Sequence, residues 1–401
     1  MLDFLKLILQ IEEVGRDSLV DRGPQHEVIA RARAALEQAA TDSASLSSRL
    51  ERNKPWVLWP IAMPLEPFGT SLPVELRSEP VTVVAVDGSQ IMPSRHEVHS
   101  CYLLNMGIVV ISYGAAAQAA QLAPQLVSEP MLYHRPEDLY PLVDRRRVHI
   151  DELYVSLERN LRELETVSFR GLEANRRGLP VVAMLDGSLI PWSLEKMPAD
   201  YQETYLERVS TALDALRQVK IPLIGYLSHS RSSDLVNDLR VSICPYPVSH
   251  CRELCGQLNE EDFPCSQIWP LSDRQLIAQL LPEGYRTAIF LSGASVASSL
   301  AAAQRTCFLY LNVGCEVARL EFPRWLADDL EALSLALATV RSQVGKGMGY
   351  PVSLSEAHNL AVIRGQDRAR FFELLTRHLI TLGADRVTVS PKESRKRRGI
   401  V

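Results

Sequence analysis

Two short stretches decide the fold: VTVVAVDGS, residues Val81–Ser89, and LPVVAMLDGSLI, residues Leu179–Ile190. Each is a nearly continuous apolar run, rich in β-branched residues, up to an Asp-Gly-Ser tripeptide, which predicts a buried strand with an aspartate at its end. The carboxyl ends of central strands are where open α/β sheets place their ligands. We therefore predict that Asp87 and Asp186 lie close together at one edge of the sheet.

Such a pair of aspartates has a defined chemistry. Two neighbouring carboxylates repel each other, so the pKa of one of them rises unless a cation neutralises the pair. Oxygen ligands of this kind suit Mg²⁺ or Mn²⁺. A single Asp-Gly-Ser is more simply a turn that ends a strand. Two copies, each after a strongly apolar strand, favour Asp87 and Asp186 as ligands of divalent cations.

The segment between the two strands predicts a helix from about Ile150 to Asn175. One of its faces carries a stripe at helical spacing: Leu157, Leu161, Leu164, Ser168 and Leu172. Glu165 falls within this stripe, whereas Glu163 is expected to point away from it. A carboxylate on a core-facing stripe is costly unless it is paired or ligated. Glu165 is therefore the predicted third ligand, and a hydrogen bond to Arg162 or Arg170 is the alternative.

The order of the predicted elements indicates the fold class. A strand with Asp87 precedes two strands that turn near Asn105–Gly107, and the helix with the glutamate, the strand with Asp186, a helix, a strand and later helices follow. This is the order of an RNase H-like α/β fold, a mixed central sheet flanked by helices. In that fold a carboxyl-terminal helix supplies the last ligand, and the candidate here is His358 in GYPVSLSEAHNLAVI. A structural role is the usual one for a lone helical histidine.

The chain is predicted to have three parts. Residues 1–75 form a helical region and a connector that four prolines keep irregular. Residues 76–385 form the RNase H-like domain, with an irregular cysteine-rich insertion at about 244–269. Residues 386–401 form a basic tail that is expected to be disordered. The apolar stripe Leu2–Ile11 is a candidate docking helix for a partner, with core packing as the more common alternative.

With these residues in place, the chain resembles the NurA family of DNA repair nucleases. The resemblance extends roughly from Val81 to Arg377 and rests on VAVDGSQ, PSRHEV, the helix with Glu165, VAMLDGSLI and GYPVSLSEAHNLAVIRGQDR. It implies metal ligation by a set of four side chains, with Tyr350 near them: Asp87, Glu165, Asp186 and His358. It also implies exonuclease trimming of DNA ends and endonuclease action on single strands, supported by manganese. The family's implied partners are a second copy of the chain, in a homodimer, and a HerA-type hexameric ATPase.

The implied chemistry is phosphodiester hydrolysis with two Mn²⁺ or Mg²⁺ ions. Some positions depart from the family pattern. Because the spacing of the helical ligand to the second aspartate varies, Glu163 or Glu173 could compete with Glu165. Where the family commonly carries a lysine, this chain offers His229 and Arg231 as candidates for a phosphate contact. Arg95 and His96 are further candidates, and surface charges in a hairpin are the alternative for them.

A cysteine-rich segment adds a candidate second metal site. Cys244, Cys251, Cys255 and Cys265 lie within 22 positions, with His250 beside them, and could bind zinc or an iron–sulfur cluster. Their spacing fits no paired C-x-x-C pattern, and free cysteines are also common small core residues. Seven cysteines, an odd number, make a disulfide framework unlikely in a chain of this length.

Composition and motifs exclude several classes of protein. The formal net charge of −5 argues against a broad basic surface that coats nucleic acid. No apolar run is long enough to span a membrane, and the first residues lack the basic flank of a signal peptide, so the cytoplasm is expected. Haloacid dehalogenase-like phosphatases need a nucleophilic Asp two positions before Asp-Gly-Ser, where Ala85 and Met184 stand. A catalytically silent RNase H-like scaffold that binds DNA or a translocase ATPase stays open as the alternative function.

Overall fold

The computed structural model describes residues 3–20, 22–93, 99–143 and 145–382. The β-strands are β1 Met63–Pro64, β2 Ser71–Pro73, β3 Val81–Ile91, β4 Tyr102–Tyr113, β5 Gln125–Tyr133, β6 Leu142–Val143, β7 Arg146–Arg147, β8 Val181–Asp186, β9 Leu223–Leu227, β10 Tyr285–Thr287, β11 Phe290–Leu291, β12 Thr306–Asn312 and β13 Val317–Pro323. The α-helices are α1 Phe4–Val20, α2 Arg22–Thr41, α3 Ser43–Asn53, α4 Ala115–Ala119, α5 Pro136–Leu139, α6 Glu152–Asn175, α7 Ala199–Gln218, α8 Asp234–Ile243, α9 Cys251–Leu254, α10 Asp273–Ile277, α11 Ser295–Ser298, α12 Arg324–Asp328, α13 Leu330–Lys346, α14 Val352–Ala361 and α15 Gly365–Thr381.

The chain divides into two compact units, each built from three segments. The first unit consists of Met1–Pro73, Leu227–Ser295 and Cys307–Leu320. The second consists of Val74–Tyr226, Val296–Thr306 and Glu321–Val401. The basic tail at residues 386–401 lies outside the described residues.

The second unit contains the strands that carry both aspartates. Its strands follow the order β9-β8-β3-β4-β5. β4 is antiparallel to both of its neighbours, β3 and β5, whereas β3, β8 and β9 run parallel to one another. Helices α6 and α14 pack against these strands, and α7 packs against α6. The predicted RNase H-like α/β architecture, a mixed sheet flanked by helices, is confirmed.

The apolar runs of the two aspartate-bearing strands follow from their burial on both faces. Residues 83–86 of β3 and 182–184 of β8 are fully buried. A strand that is covered on both faces has no solvent side, so its sequence is continuously apolar rather than alternating. This burial explains why the two strands could be recognised without an alternating pattern.

One strand prediction is wrong. The segment expected to turn near Asn105–Gly107 is the single strand β4, which runs through both residues. Asn105 uses its side-chain amide to donate hydrogen bonds to the carbonyls of Leu360 and Ala361 at the end of α14. A Cβ at position 107 would collide with the carbonyl of Ala357. Both residues thus serve the packing of α14 on the sheet, and neither makes a turn.

The first unit has its own core. Helices α2, α3 and α8 pack with β11 and β12 around buried residues such as Leu50, Leu239 and Phe308. Here β12 lies between β11 and β13, and β10 pairs with β12 and β2. In the apolar stripe of α1, Leu7 is partly buried, whereas Leu5 and Ile11 are exposed by 80% and 58%. Within the described residues, we find no helix with the length and apolarity that crossing a membrane requires.

Candidate metal centre

Asp87 and His358 form the best-defined contact of the site. Asp87 lies on β3 opposite Gly107 of β4, and His358 lies on α14, which packs on both strands. The Nδ1 atom of His358 is 2.8 Å from Oδ2 of Asp87. The side chain of Asp87 is 15% exposed and that of His358 is 58% exposed. The close packing of α14 at Gly107 is therefore what brings the imidazole to the carboxylate.

Asp186 is the last residue of β8, and the chain turns immediately after it. Gly187 has φ +104°, a left-handed conformation that L side chains rarely adopt. Burial raises the pKa of the Asp186 carboxyl. A hydrogen bond from Tyr350 lowers this pKa, and the charge of Asp87 raises it further. These interactions indicate that both aspartates share one electrostatic environment, next to Tyr350.

Glu163 of α6 is buried beside the two aspartates. Burial raises the pKa of its carboxyl to about 8. Arg159, whose Nε is 3.2 Å from Oε1 of Glu163, lowers this pKa, while the charges of Asp87 and Asp186 raise it. A Cβ at position 88 would lie 2.5 Å from Oε1 of Glu163. Gly88 thus gives the glutamate the space to approach β3.

The predicted orientation of Glu165 and Glu163 on this helix is wrong. Glu165 forms ion pairs with Arg208 of α7 and with Arg162. The stripe used for the prediction is shared between two surroundings: Ser168 donates a hydrogen bond to a carbonyl of α7, whereas Leu157 and Leu164 line the cavity that contains the aspartates. Because α6 is buried against both the sheet and α7, it has two core-facing sides. The stripe alone could not show which of these two sides of α6 points toward the aspartates.

The third glutamate considered on this helix is Glu173. It pairs with Arg170 at 2.9 Å, and it is not among the residues that line the cavity containing Asp87 and Asp186. Glu163 is therefore the helical carboxylate that the structure brings to the aspartates.

A cavity of about 510 Å³ in the second unit brings the candidate ligands together. Its lining includes Asp87, Glu163, Asp186 and His358, along with apolar side chains and Trp192. Within the described ranges, no group of three or more His, Cys, Asp or Glu side chains is arranged ready to hold an ion. In this arrangement Oδ2 of Asp87 is instead hydrogen-bonded to His358.

The loop after Asp186 is held by a residue that the sequence analysis missed. Glu321 is 1% exposed and accepts hydrogen bonds from the Ser188 hydroxyl at 2.8 Å and the Leu189 backbone N–H at 2.9 Å. Its sequence signal is a charged residue inside the apolar strand VARLEFP. A buried carboxylate of this kind needs hydrogen-bond donors, and here the loop that follows the second aspartate provides them.

His229 and Arg231, the two described candidates for a phosphate contact, are not among the residues that line this cavity. His229 belongs to the first unit and lies 3.2 Å from Glu316. Arg231 also belongs to the first unit. Arg95 and His96 lie outside the described residues.

The four cysteines of the predicted second site also belong to the first unit. Cys251, Cys255 and Cys265 are buried and Cys244 is partly buried, and all four are free thiols.

The comparison with known protein families fits this geometry. The model of the NurA domain matches residues 81–363, which is more than half of the chain and includes all four candidate ligands. This chain belongs to the NurA family. NurA is a family of nucleases involved in the processing of DNA ends, so the chain is a member of a nuclease family with a role in DNA repair. Among proteins with curated functions, none matches the sequence.

Proposed function

We propose that this NurA chain is a divalent-metal-dependent deoxyribonuclease. The observation that supports this proposal most is the convergence of Asp87, Glu163, Asp186 and His358, from β3, α6, β8 and α14, on one cavity. Three carboxylates in a confined space repel one another, and the pKa of Glu163 rises to about 8 for this reason in addition to its burial. Such an arrangement is stable at neutral pH only if a proton or a cation neutralises it.

The donor set fits the metal ions that the family resemblance implies. Carboxylate oxygens with one imidazole suit Mn²⁺ or Mg²⁺, which prefer hard ligands. Two such ions, when bound, supply an activated water and stabilise the leaving oxygen in phosphodiester hydrolysis. Glu163 is proposed as the third carboxylate ligand in place of Glu165, because Glu165 is already neutralised by Arg208.

The protein's own groups have separate tasks in this proposal. His358 orients the Asp87 carboxylate through the bond to Oδ2. Tyr350 donates a hydrogen bond to Asp186 and keeps its carboxyl closer to the ionised state. Glu163 holds a proton until a cation replaces it. Arg159 lines the same cavity and is a candidate for contact with a phosphate of the substrate.

The substrate and partners follow from membership of the family. We propose exonuclease action on DNA ends and endonuclease action on single strands, supported by Mn²⁺. The chain acts as a homodimer with a HerA-type hexameric ATPase, which supplies DNA to the nuclease during the processing of double-strand breaks. No G-x-x-x-x-G-K-[ST] loop occurs in these 401 residues, so the proposal assigns ATP hydrolysis to the partner.

A nuclease assay with matched variants tests the proposal. Purified protein is incubated with end-labelled single- and double-stranded DNA and Mn²⁺, with and without a chelator. We expect cutting by the wild-type chain and by Glu165→Gln, and loss of cutting in Glu163→Gln. The two glutamates lie two residues apart on α6, so contamination or general damage to the helix would affect both variants alike.

Two outcomes would contradict the proposed activity, and a third would contradict the assignment of Glu163. Equal residual cutting by wild type and by the Asp87→Ala and Asp186→Ala variants would assign the activity to a contaminant. Absence of cutting by the wild type, together with stable binding to a HerA-type hexamer, would indicate a silent scaffold instead. Loss of activity in Glu165→Gln with full activity in Glu163→Gln would restore the ligand predicted from the helical stripe.

A further inference from the structure

The cysteine cluster, defined as Cys244, Cys251, Cys255 and Cys265, lies in a part of the first unit with little regular structure. Between the end of α8 and α10 the chain forms only the four-residue helix α9 and two short 3₁₀ turns. Cys251 begins α9 and Cys255 follows its last residue, where the Cys255 N–H donates to the Cys251 carbonyl at 2.9 Å. Most of the backbone hydrogen bonds within this segment are local turns, such as that from the Ser266 N–H to the Phe263 carbonyl.

The cysteines themselves form most of the small core of this segment. Cys255, Cys265 and Phe263 make up one buried cluster, and Cys244 packs against it together with Trp59 and Tyr246. Ile268 and Leu271 of the same segment belong to the larger core of the first unit. Loop-rich segments with clustered cysteines are commonly held by a disulfide or a structural metal, and all four thiols here are free.

The thiols are close enough to influence one another electrostatically. Burial raises the pKa of Cys251 to about 11, and the other three thiols of the cluster raise it further. The pKa of Cys265 is likewise raised by burial first and then by Cys244 and Cys255. Cys244 also raises the pKa of Cys255. Every pair within the cysteine cluster is therefore in electrostatic contact.

Positive and hydrogen-bonding groups surround the cysteine cluster. Arg240 forms a hydrogen bond with Cys265, and its guanidinium lies 3.7 Å from the centre of the Trp59 ring. The backbone N–H of Leu58 donates a hydrogen bond to Cys251. Donors of this kind support thiolate ligands, because they disperse the negative charge that remains on the sulfur atoms after metal binding.

We propose that the cysteine cluster binds one Zn²⁺ ion in a closed site with four thiolate ligands. Four cysteines without an open position are the usual ligand set of structural zinc, whose binding contributes directly to folding. No described group of three such side chains is arranged ready to hold an ion, so the thiol groups turn toward a common point when Zn²⁺ binds. The role of the ion is structural, and it is separate from the carboxylate cavity of the second unit.

Metal analysis of the full chain tests this proposal independently of nuclease activity. The protein is purified without a metal-binding tag, and zinc, iron and acid-labile sulfide are measured per chain. The Asp186→Ala background is used throughout, so that zinc at the carboxylate cavity does not contribute. We expect about one Zn²⁺ per chain, its loss in Cys251→Ser and Cys255→Ser, and its retention in Cys101→Ser, a buried cysteine outside the cluster.

A second set of measurements does not depend on whether the cysteine variants fold. In the otherwise unsubstituted chain, a mercurial reagent releases the metal while a chromogenic chelator records it, and thermal unfolding is followed before and after a strong chelator. We expect zinc release in step with thiol modification and a lower melting temperature after chelation. Iron with sulfide would replace the proposal by an iron–sulfur cluster. Absence of metal with seven titratable thiols would overturn the proposal and show that the cysteines are free. Absence of metal with fewer than seven thiols before reduction would overturn it in favour of disulfides.

Discussion

The two Asp-Gly-Ser tripeptides have the same sequence but different structures. In β3 the strand continues through Asp87 and Gly88 to Ile91, whereas β8 ends at Asp186 and the chain turns at Gly187 with φ +104°. Gly88 is required by a neighbour, because a Cβ there would collide with the Glu163 carboxylate. Gly187 has no atom within 4 Å of its would-be Cβ, so its own backbone conformation is what requires glycine.

The serines of the two tripeptides differ in the same way. The Ser89 hydroxyl donates to the Ala361 carbonyl and ties β3 to the end of α14. The Ser188 hydroxyl donates to Glu321 and fixes the loop after β8. One tripeptide therefore attaches the sheet to the helix that carries the histidine, and the other shapes the rim of the cavity. The same tripeptide therefore contributes to one site in two different ways, because its neighbours in the folded chain differ.

The largest expected effect tests whether both tripeptides serve one centre. Asp87→Asn and Asp186→Asn should each lower DNA cleavage by about 10³-fold or more, because each removes a charged ligand. Residues that act as a unit are strongly non-additive, so the double variant should be little worse than either single variant. Single-turnover cleavage rates measure this effect. If the loss in the double variant equalled the product of the two single losses, the aspartates would act independently and not in one centre.

The difference between the two glycines gives the next prediction. Gly88→Ala should lower the cleavage rate by about 10²-fold, since displacement of a ligand by an ångström has effects of this size. The closest contact is with Glu163, and Arg159 and Met106 lie 3.0 Å from the added Cβ. The combination of Gly88→Ala with Glu163→Ala should therefore lose less stability relative to Glu163→Ala than Gly88→Ala loses relative to the wild type. Cleavage rates and thermal unfolding of the three variants measure this. Wild-type activity in Gly88→Ala would show that cleavage does not depend on the position of Glu163 against β3.

The pKa of Glu163 predicts a pH dependence of metal affinity. Because the carboxyl keeps its proton up to about pH 8, Mn²⁺ must displace that proton, and affinity should rise about tenfold per pH unit below 8. Calorimetric titrations of the wild type and Glu163→Gln at several pH values test this. We expect a shallower dependence in the variant, and parallel curves would remove Glu163 from the ligand set.

The raised pKa of Glu163 also predicts how the stability of the metal-free protein, kept so by a chelator, changes with pH. A carboxyl whose pKa rises from 4.5 to about 8 on folding favours the folded state most below pH 4.5. This contribution is lost as the pH rises through about 8, since the unfolded chain then binds fewer protons than the folded one. Denaturant unfolding should therefore show the stability of the wild type falling relative to Glu163→Gln across this window.

The smallest expected effect is at the second glycine. Gly187→Ala should lower the free energy of unfolding by about 1–3 kcal/mol, because alanine is strained at a positive φ. No side chain lies near the added methyl group, so activity measured well below the melting temperature should change less than in Gly88→Ala. Urea unfolding and cleavage rates separate the two glycines. A larger loss of activity at Gly187 than at Gly88 would reverse the comparison.

Much of the fold could be predicted from the sequence, because β3 and β8 are covered on both faces and therefore read as continuous apolar runs. The apolar strands also predict that Asp87 and Asp186 lie together, and the order of the elements adds His358; all three line one cavity, and their role as ligands stays a prediction. The interruption of β4 was predicted wrongly, since Asn105 and Gly107 are turn-forming residue types that here accommodate a helix distant in sequence. Periodicity could not choose between Glu163 and Glu165, because α6 buries two sides and only tertiary packing shows which one faces the aspartates.

The most direct test of the account is a crystal structure with Mn²⁺, read through the anomalous scattering of the ions. We predict anomalous peaks in the cavity within coordination distance of Asp87, Asp186 and Glu163, with Glu165 still paired to Arg208. Peaks that are bound by Glu165, or peaks that leave either aspartate without an ion, would contradict it.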